Sequence, residues 1–384
     1  EIVDQMLADG RAYKCYATPE ELDAMREEQR AKGIKPRYDG RWRPENCQGK
    51  PIPEGVKPVI RFRNPDEGAV TWNDAVYGTI TVSNSELDDL IIMRNGIPTY
   101  NFAVVVDDWD MEVSHVIRGA DHINNTPRQI NIYRALGAEV PVFAHLPLIN
   151  GQDGQKLSKR HGTVSVLEYE RQGYLPEAVI NFLALLGWNP GTDQEILSMD
   201  ELIRLFDIGH CSKAGAKFDY VKGMWFNREY ILKTNDDALA PAFDKILRQN
   251  GITAPIDRVT AVVGMMKMKK INFIHELWPL CDFFFIAPST YSMDDKFTRK
   301  NWKETTGAEM SQLASLLESL DDFSAETQKA TVDPWAEQTG IKPWNAWRVC
   351  LVGTGKGPDM YELAAFLGKE ETLNRMHRAI EALK

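Results

Sequence analysis

Three consecutive stretches decide the fold: Val113-Ser114-His115-Val116-Ile117-Arg118-Gly119, then Thr126-Pro127-Arg128-Gln129-Ile130-Asn131-Ile132-Tyr133-Arg134-Ala135-Leu136-Gly137, then Val140-Pro141-Val142-Phe143-Ala144-His145-Leu146-Pro147-Leu148-Ile149. The first is apolar from Val113 to Ile117 and ends in Arg118-Gly119, as a strand leading into a loop does. The second is a helix. Thr126 is expected as its cap, Pro127 suits the first turn where a missing N–H costs nothing, Ile130, Tyr133 and Leu136 share one face, and Gly137 follows the end. The third reads as a strand from Val140 to Ile149. Strand, helix and strand in this order imply a parallel crossover unit, in which ligands sit outside the carboxyl ends of the strands. Arg118 and Leu148-Ile149 fall at those ends. Just upstream, another apolar run, Phe102 to Val106, ends in Asp107-Asp108.

Working outward, residues 1–96 mix short helices with Gly/Pro-punctuated segments, and Val59-Ile60-Arg61-Phe62 and Thr79-Ile80-Thr81-Val82 alternate as strands do. This predicts a small α+β module. After Gly151 the apolar period becomes helical: Ser198-Met199-Asp200-Glu201 is a capping box, and Met310, Leu313, Leu316, Leu317 and Leu320 form one stripe and Leu373, Met376, Ile380 and Leu383 another. A chain of 384 residues accommodates about two to four domains. No apolar run approaches the ~20 residues of a bilayer span, which disfavours a membrane role. The five cysteines, Cys15, Cys47, Cys211, Cys281 and Cys350, are scattered without a CxxC pair, supporting neither a disulfide framework nor a common zinc pattern, and a reducing cytoplasm fits them best. The opening Glu1-Ile2-Val3-Asp4 reads as the inside of an amphipathic helix, so the natural start is expected to lie upstream.

The net charge of −10 argues mildly against nucleic acid, but local clusters can override a global balance. Between Arg26 and Arg63, Arg26, Arg30, Lys32, Lys35, Arg37, Arg41, Arg43, Lys50, Lys57, Arg61 and Arg63 face only Glu27, Glu28, Asp39, Glu45 and Glu54. That cluster is either a solvated face or an RNA contact. The cluster Lys267, Lys269, Lys270 is open to the same two readings, and Gly353-Thr354-Gly355-Lys356-Gly357, which lacks the spacing of a phosphate loop, reads as a tight turn with a helix starting at Pro358.

The most informative string is Gly151-Gln152-Asp153-Gly154-Gln155-Lys156-Leu157-Ser158-Lys159-Arg160-His161-Gly162. Lys156, Lys159, Arg160 and a hydroxyl, Ser158, lie on a glycine-flanked loop directly after a strand, where closure would bring cations onto a polyphosphate as charge develops on its oxygens. Alone, such a loop is more often a solvated turn. With its surroundings it resembles the KMSKS-type signature of class I aminoacyl-tRNA synthetases in its glutamyl form. Thr99-Tyr100-Asn101-Phe102-Ala103-Val104-Val105-Val106-Asp107-Asp108 and Val116-Ile117-Arg118-Gly119-Ala120-Asp121-His122 resemble the blocks that precede it in bacterial-type glutamyl enzymes. Ser212-Lys213, Phe218-Asp219 and Trp225-Phe226-Asn227 resemble the stem-contact segment, and Leu367-Gly368-Lys369-Glu370 the anticodon-binding end, so the resemblance spans the chain.

What the resemblance implies is specific. The fold expected is α/β plus all-α: the second half of a class I Rossmann-like catalytic domain, residues 97–164, with an acceptor-stem-binding α+β insertion at 1–96, a stem-contact region at 165–232, and a helical anticodon arm in two parts, 233–315 and 316–384. The activity is ATP-dependent ligation of L-glutamate to tRNA-Glu, with Mg2+ accompanying ATP, in a cytoplasmic monomer. Lys156, Ser158, Lys159 and Arg160 are the catalytic candidates, Lys159 holding the triphosphate with Lys156 in support. Tyr100 and Arg118 wall the glutamate pocket. Leu148 and Ile149 offer main-chain groups to adenine, and Asp121 joins Lys159 in the ATP site. Asp107, Asp108 and Lys213 are expected toward tRNA. For Arg118 the physical case is independent, since a planar cation at a strand end suits a carboxylate, with a structural salt bridge as the other reading. Tyr100 by itself reads more often as a core aromatic with its hydroxyl satisfied, and the pocket role comes from the resemblance.

Two departures accompany the resemblance. None of His115, His122, His145, His161, His210, His275 or His377 begins an HxGH string, so half of the ATP site is expected to be missing from this chain, which by itself is then expected to be inactive; a non-catalytic tRNA-binding fragment is the alternative. Family members often carry a zinc knuckle where Cys15, Ala17, Trp42 and Pro44 stand here, and with three of four ligands gone no zinc is expected. A helical C-terminus disfavours glutaminyl enzymes, whose anticodon region is built from β-barrels. The presence of an arm disfavours the short paralogues that lack one.

Overall fold

The computed structural model describes residues 1–157 and 165–384. The chain forms two compact units, Glu1–Gly162 with Leu183–Asp219, and Thr163–Phe182 with Tyr220–Lys384.

In the first unit, β1 (Ala12–Cys15), β2 (Val59–Phe62), β5 (Ile91–Arg94) and β6 (Ile97–Pro98) make an antiparallel sheet in the order β1-β2-β5-β6. Between them, β3 (Ala69–Asp74) and β4 (Gly78–Ser83) form a hairpin with Val70 opposite Val82 and Trp72 opposite Ile80. Strict alternation along β3 buries Val70, Trp72 and Asp74 on one face. Two of those residues are apolar, and the third, a carboxylate, caps the turn: Asp74 Oδ1 accepts the backbone N–H groups of Val76 and Tyr77 at 3.1 and 3.0 Å.

The crossover forms as its pattern predicts. β7 (His115–Gly119) and β8 (Val142–Leu146) are parallel, in register from His115–Val142 to Gly119–Leu146, and the Thr126–Leu136 helix connects them. Three details differ from the sequence reading. Thr126 is the first helical residue rather than the cap, and its hydroxyl is spent on tertiary contacts. Residues 140–149 do not make one strand: Pro147 ends β8, and Ile149–Asn150 becomes β9, which pairs in parallel with β10 (Ala216–Lys217). The apolar run Phe102–Val106 belongs to a helix, Tyr100–Asp110, whose buried residues Phe102 and Val105 are three apart, one helical turn.

The basic stretch 26–63 also resolves differently from a bare positive face. Arg26, Arg30, Lys32, Arg41, Lys50 and Arg63 pair with Asp23, Glu27, Glu28, Asp39, Glu21 and Glu45, and Arg43 lies buried against Asp89 and Asp66. Much of the charge open to reading as either a solvated face or an RNA contact is therefore met by acids of the same module. Cys15 is buried there. Its sulfur sits 3.4 Å from the Tyr38 hydroxyl and takes the Arg61 Nε–H at 3.4 Å. A guanidinium against the lone thiol is the wrong company for a dication, and among the described residues no group of three or more His, Cys, Asp or Glu side chains is placed to hold a metal. The residues present do not fit a zinc knuckle.

The second unit is helical among its described residues, with the stripes read from sequence buried in one core: Met310, Leu313, Leu317, Met376 and Leu383 lie with Trp347, Phe243 and Phe284, and Leu316, Leu320, Leu373 and Ile380 are half-buried against it. The glycine-rich stretch after Val352 is a capping loop. Gly353 takes the left-handed conformation that ends the Trp344–Val352 helix, Arg348 donates to the carbonyls of Lys356 and Pro358 at 2.8 Å, and the next helix starts at Met360, not Pro358, because Asp359 caps it. Lys267 pairs with Asp236 and Lys269 donates to Gly357 O, so two of the three clustered lysines are tied to the unit's own groups. No helix among the described residues is long and apolar enough to cross a membrane.

Candidate active site

The carboxyl ends of β7 and β8 collect the residues on which the chemistry was expected to rest. Arg118, the penultimate residue of β7, lies opposite His145 in the strand register. Its Nε donates to His145 Nε2 at 3.2 Å, and its Nη2 to Thr126 Oγ1 and Gln129 Oε1, each at 2.8 Å. Gln129 is in turn held by Asn101 Oδ1 at 3.0 Å, and the guanidinium lies 5.3 Å from the Phe143 ring centroid. All these partners are neutral. No described carboxylate comes within ion-pair distance, so the alternative of a structural salt bridge fails among the described residues. Burial accordingly pulls the Arg118 pKa below its usual value, and the Tyr100 hydroxyl opposes that shift.

Tyr100, at the start of its helix, is exposed, with its hydroxyl 3.3 Å from His122 Nδ1. It is not a core aromatic. His122 also lies 3.2 Å from Asn125 Nδ2, which fixes the ring beside Tyr100. Asp121 reaches across to Lys156, whose Nζ donates to Asp121 Oδ2 at 2.6 Å, and this lysine lowers the pKa of the Asp121 carboxyl. The contact ties the start of the cationic loop to the end of β7. Gly119 permits it: a Cβ there would stand 2.6 Å from Asp121 Oδ1. Ser158, Lys159 and Arg160 lie outside the described residues.

Leu148 and Ile149 flank the same edge, but their carbonyls already serve the fold. Leu148 O accepts from Ala216 N–H at 3.0 Å and Ile149 O from Leu157 N–H at 2.8 Å. Gly215 lies against this segment, where a Cβ would meet Leu148 O at 3.2 Å and Asn150 Nδ2 at 2.7 Å. Lys213 is close by in sequence. It donates to Tyr77 O at 3.3 Å, while Tyr77 OH donates to Lys213 O at 2.9 Å.

Asp107 and Asp108 are not gathered with the others. They stand about two turns from Tyr100 along its helix, roughly 10–12 Å, and Asp108 lines a cavity of about 630 Å³ with Ser114, His115 and Val142 at the amino ends of the strands. Burial raises the Asp108 pKa, the Arg118 charge opposes the rise, and the neighbouring Asp107 charge adds to it.

Sequence reading missed the pair beneath Arg118. His145 and Asp74 are both fully buried, with His145 Nδ1 2.5 Å from Asp74 Oδ2. Burial pulls the His145 pKa down against the pull of Asp74, and the Arg118 Nε–H facing Nε2 calls for a lone pair there. Asp74 is also buried, which favours the acid, but the Tyr77 N–H, His145 and the Val76 N–H together hold its pKa below the ordinary carboxylate value. The only hint in the sequence was a histidine inside an apolar strand.

Residues 1–225 match the family model described as tRNA synthetases class I (E and Q), catalytic domain, and residues 237–380 match an anticodon binding domain. A glutamate–tRNA ligase of Phocaeicola vulgatus is 46% identical over 100% of this chain and 81% of its own length, and one of Aromatoleum aromaticum is 47% identical over 99% and 82%. Among solved structures, a glutamate tRNA ligase from Elizabethkingia meningosepticum in complex with its amino acid superposes with a TM-score of 0.86 at 36% identity, covering all of this chain and 82% of that one. The glutamate-tRNA synthetase of Elizabethkingia anophelis gives 0.82 at 35%, over 99% and 81%. With its catalytic and anticodon regions both matched, the chain belongs to the class I glutamate–tRNA ligase family.

Proposed function

We propose that this chain carries the amino-acid and phosphate subsites of a glutamate–tRNA ligase that activates L-glutamate with ATP and transfers it to the 3′ end of tRNA-Glu. A glutamate carboxylate oxygen attacks the α-phosphorus, the bond to the β-phosphate oxygen breaks, and pyrophosphate leaves with its Mg2+. A hydroxyl of the terminal adenosine then attacks the acyl carbon, gives up its proton and displaces AMP. No protein nucleophile is required; positioning and charge carry the barrier. The observation that carries the reading is Arg118, a half-buried guanidinium at a strand end whose hydrogen-bond partners among the described residues are all neutral. Its charge is left for a substrate carboxylate, beside Tyr100. Asp121 with Lys156 marks the ATP side, Lys159 with Ser158 and Arg160 the triphosphate, and Leu148-Ile149 the adenine. Asp107, Asp108 and Lys213 are assigned to tRNA, with the acceptor end on residues 1–96, the inner stem near 165–230 and the anticodon on the helical arm. Monomer and cytoplasm go with the same reading.

The test is ATP–pyrophosphate exchange dependent on L-glutamate and tRNA-Glu. In a parent enzyme that also carries the HxGH half-site, Lys159→Ala is expected to lower exchange by about 10²-fold or more, the size of one lost charge-stabilising group. An unchanged rate removes Lys159 from the mechanism. The absence of an HxGH string in these 384 residues favours a second reading, a tRNA-binding piece without turnover, and tRNA binding without exchange by the chain would select it.

A further inference from the structure

The side of Arg118 turned away from the substrate is held by a chain of hydrogen bonds that begins in the β3–β4 hairpin, some 70 residues before it ends in β8. Asp74 Oδ1 accepts three backbone N–H groups, those of Val76, Tyr77 and His145, at 3.1, 3.0 and 3.3 Å, and Oδ2 faces His145 Nδ1 at 2.5 Å. On the far side of the ring, His145 Nε2 receives Arg118 Nε–H at 3.2 Å. A guanidinium has donors only, so the atom facing it must present a lone pair, and the ring proton belongs on Nδ1. Thr126 Oγ1 lies 3.1 Å from Nε2, and the Phe143 ring runs parallel to the imidazole at an interplanar angle of 7°, its centroid 6.2 Å away.

We propose that Asp74 and His145 are positioning residues for the substrate-carboxylate subsite: Asp74 fixes His145 as the Nδ1–H tautomer, and the Nε2 lone pair then sets the plane of the Arg118 guanidinium. Nε and Nη2 are committed to the protein among the described residues, which assigns the Nη1 edge to the ligand, shared with the Tyr100 hydroxyl that also acts on the guanidinium. The dyad thereby selects which edge of Arg118 meets L-glutamate, without touching it. The inference rests on the reading of Arg118 given above.

Asp74→Asn isolates the effect. Because the three backbone donors need an oxygen at Oδ1, the amide nitrogen must replace Oδ2 and donate to His145 Nδ1. The ring proton then moves to Nε2 and confronts the Arg118 Nε–H, donor against donor. The experiment uses the full chain with ¹⁵N-labelled histidine, reading the His145 tautomer by long-range ¹H–¹⁵N correlation and the affinities for L-glutamate and for ATP by titration calorimetry. The wild type is expected to carry the proton on Nδ1. Asp74→Asn is expected to move it to Nε2 and weaken L-glutamate by about 10- to 100-fold, the range for groups that orient a ligand-binding residue from behind, with ATP unaffected. His145→Gln, which keeps an acceptor within reach of Arg118, should retain most of the affinity that His145→Leu loses. A wild-type proton on Nε2 overturns the proposal, as does a switched tautomer with unaltered L-glutamate affinity, or equal affinities in the Gln and Leu variants should Asp74→Asn not fold. Arg118→Ala separates the two levels: if it retains L-glutamate binding, the reading of Arg118 itself fails, whereas loss there with normal binding by Asp74→Asn sinks only the dyad.

Discussion

Arg43 and Arg118 are the same side chain used in opposite ways. Arg43 forks onto Asp89 with Nε and Nη2 at 2.7 Å each, places Nη1 on both oxygens of Asp66, and gives its remaining donor to Asn64 O. Its charge is answered twice over, and the hydrogen bonds to Asp89 raise its pKa further. Arg118 is gripped by a histidine, a threonine and a glutamine, which fix its plane with no described carboxylate in ion-pair distance, Asp108 acting on it only at longer range. A guanidinium that is fully paired is a fastener. One that is oriented and left uncompensated is a receptor for a carboxylate.

That contrast is breakable in order of expected effect. Arg43→Met strands Asp89 in the interior and should cost about 3–5 kcal/mol of folding stability, as removal of one partner from a buried pair does; urea denaturation measures it, and L-glutamate affinity of the folded fraction should not change. Arg118→Ala should do the reverse, lowering L-glutamate affinity by about 10²-fold while stability holds or rises, because a half-buried charge with no carboxylate in ion-pair distance among the described residues is removed. If Arg118→Ala unfolds the protein as readily as Arg43→Met, the distinction is wrong.

Next comes pH. The folded His145 pKa lies below its ordinary 6.5, so the unfolded chain binds the proton first on acidification. The stability it contributes is complete above about 6.5 and is lost as pH falls toward the folded value, with Asp74, depressed below 3.8, adding a further loss in stronger acid. His145→Gln should flatten the urea midpoint against pH just below 6.5; an identical slope in the variant would sharpen the search toward another group. The smallest effect belongs to the exposed helix pair Lys32–Glu28, where Lys32→Ala should leave the urea midpoint in place.

Much of this was legible in the residues, and where it was not the reason is physical. The crossover announced itself through local signals: an apolar run, Pro127 at a helix start, Gly137 past its end. The Ser198–Glu201 capping box and the stripe through Met310, Leu313 and Leu317 are local too, and each is present. The five-residue run Phe102–Val106 was not decidable, since an apolar stretch so short fits a helix or a strand. Pro147 did carry a signal, because a proline cannot donate within a strand interior, and it marks the exchange of partner from β7 to β10. Long-range pairing is what sequence hides. The basic stretch looked free because Asp66 and Asp89 stand 23 and 46 residues from Arg43. The carboxylate beneath His145 is 71 residues away.

Asp74 serves two masters at once, since one oxygen of its carboxylate shapes a hairpin turn while the other holds an imidazole, and Ala75 N–H adds a third tether to Phe143 O at 2.9 Å. The hairpin is therefore not a detachable ornament. A chimera that borrowed it from a relative would have to deliver a carboxylate in the same register, or inherit a selectivity defect whose origin lay nowhere near the substrate.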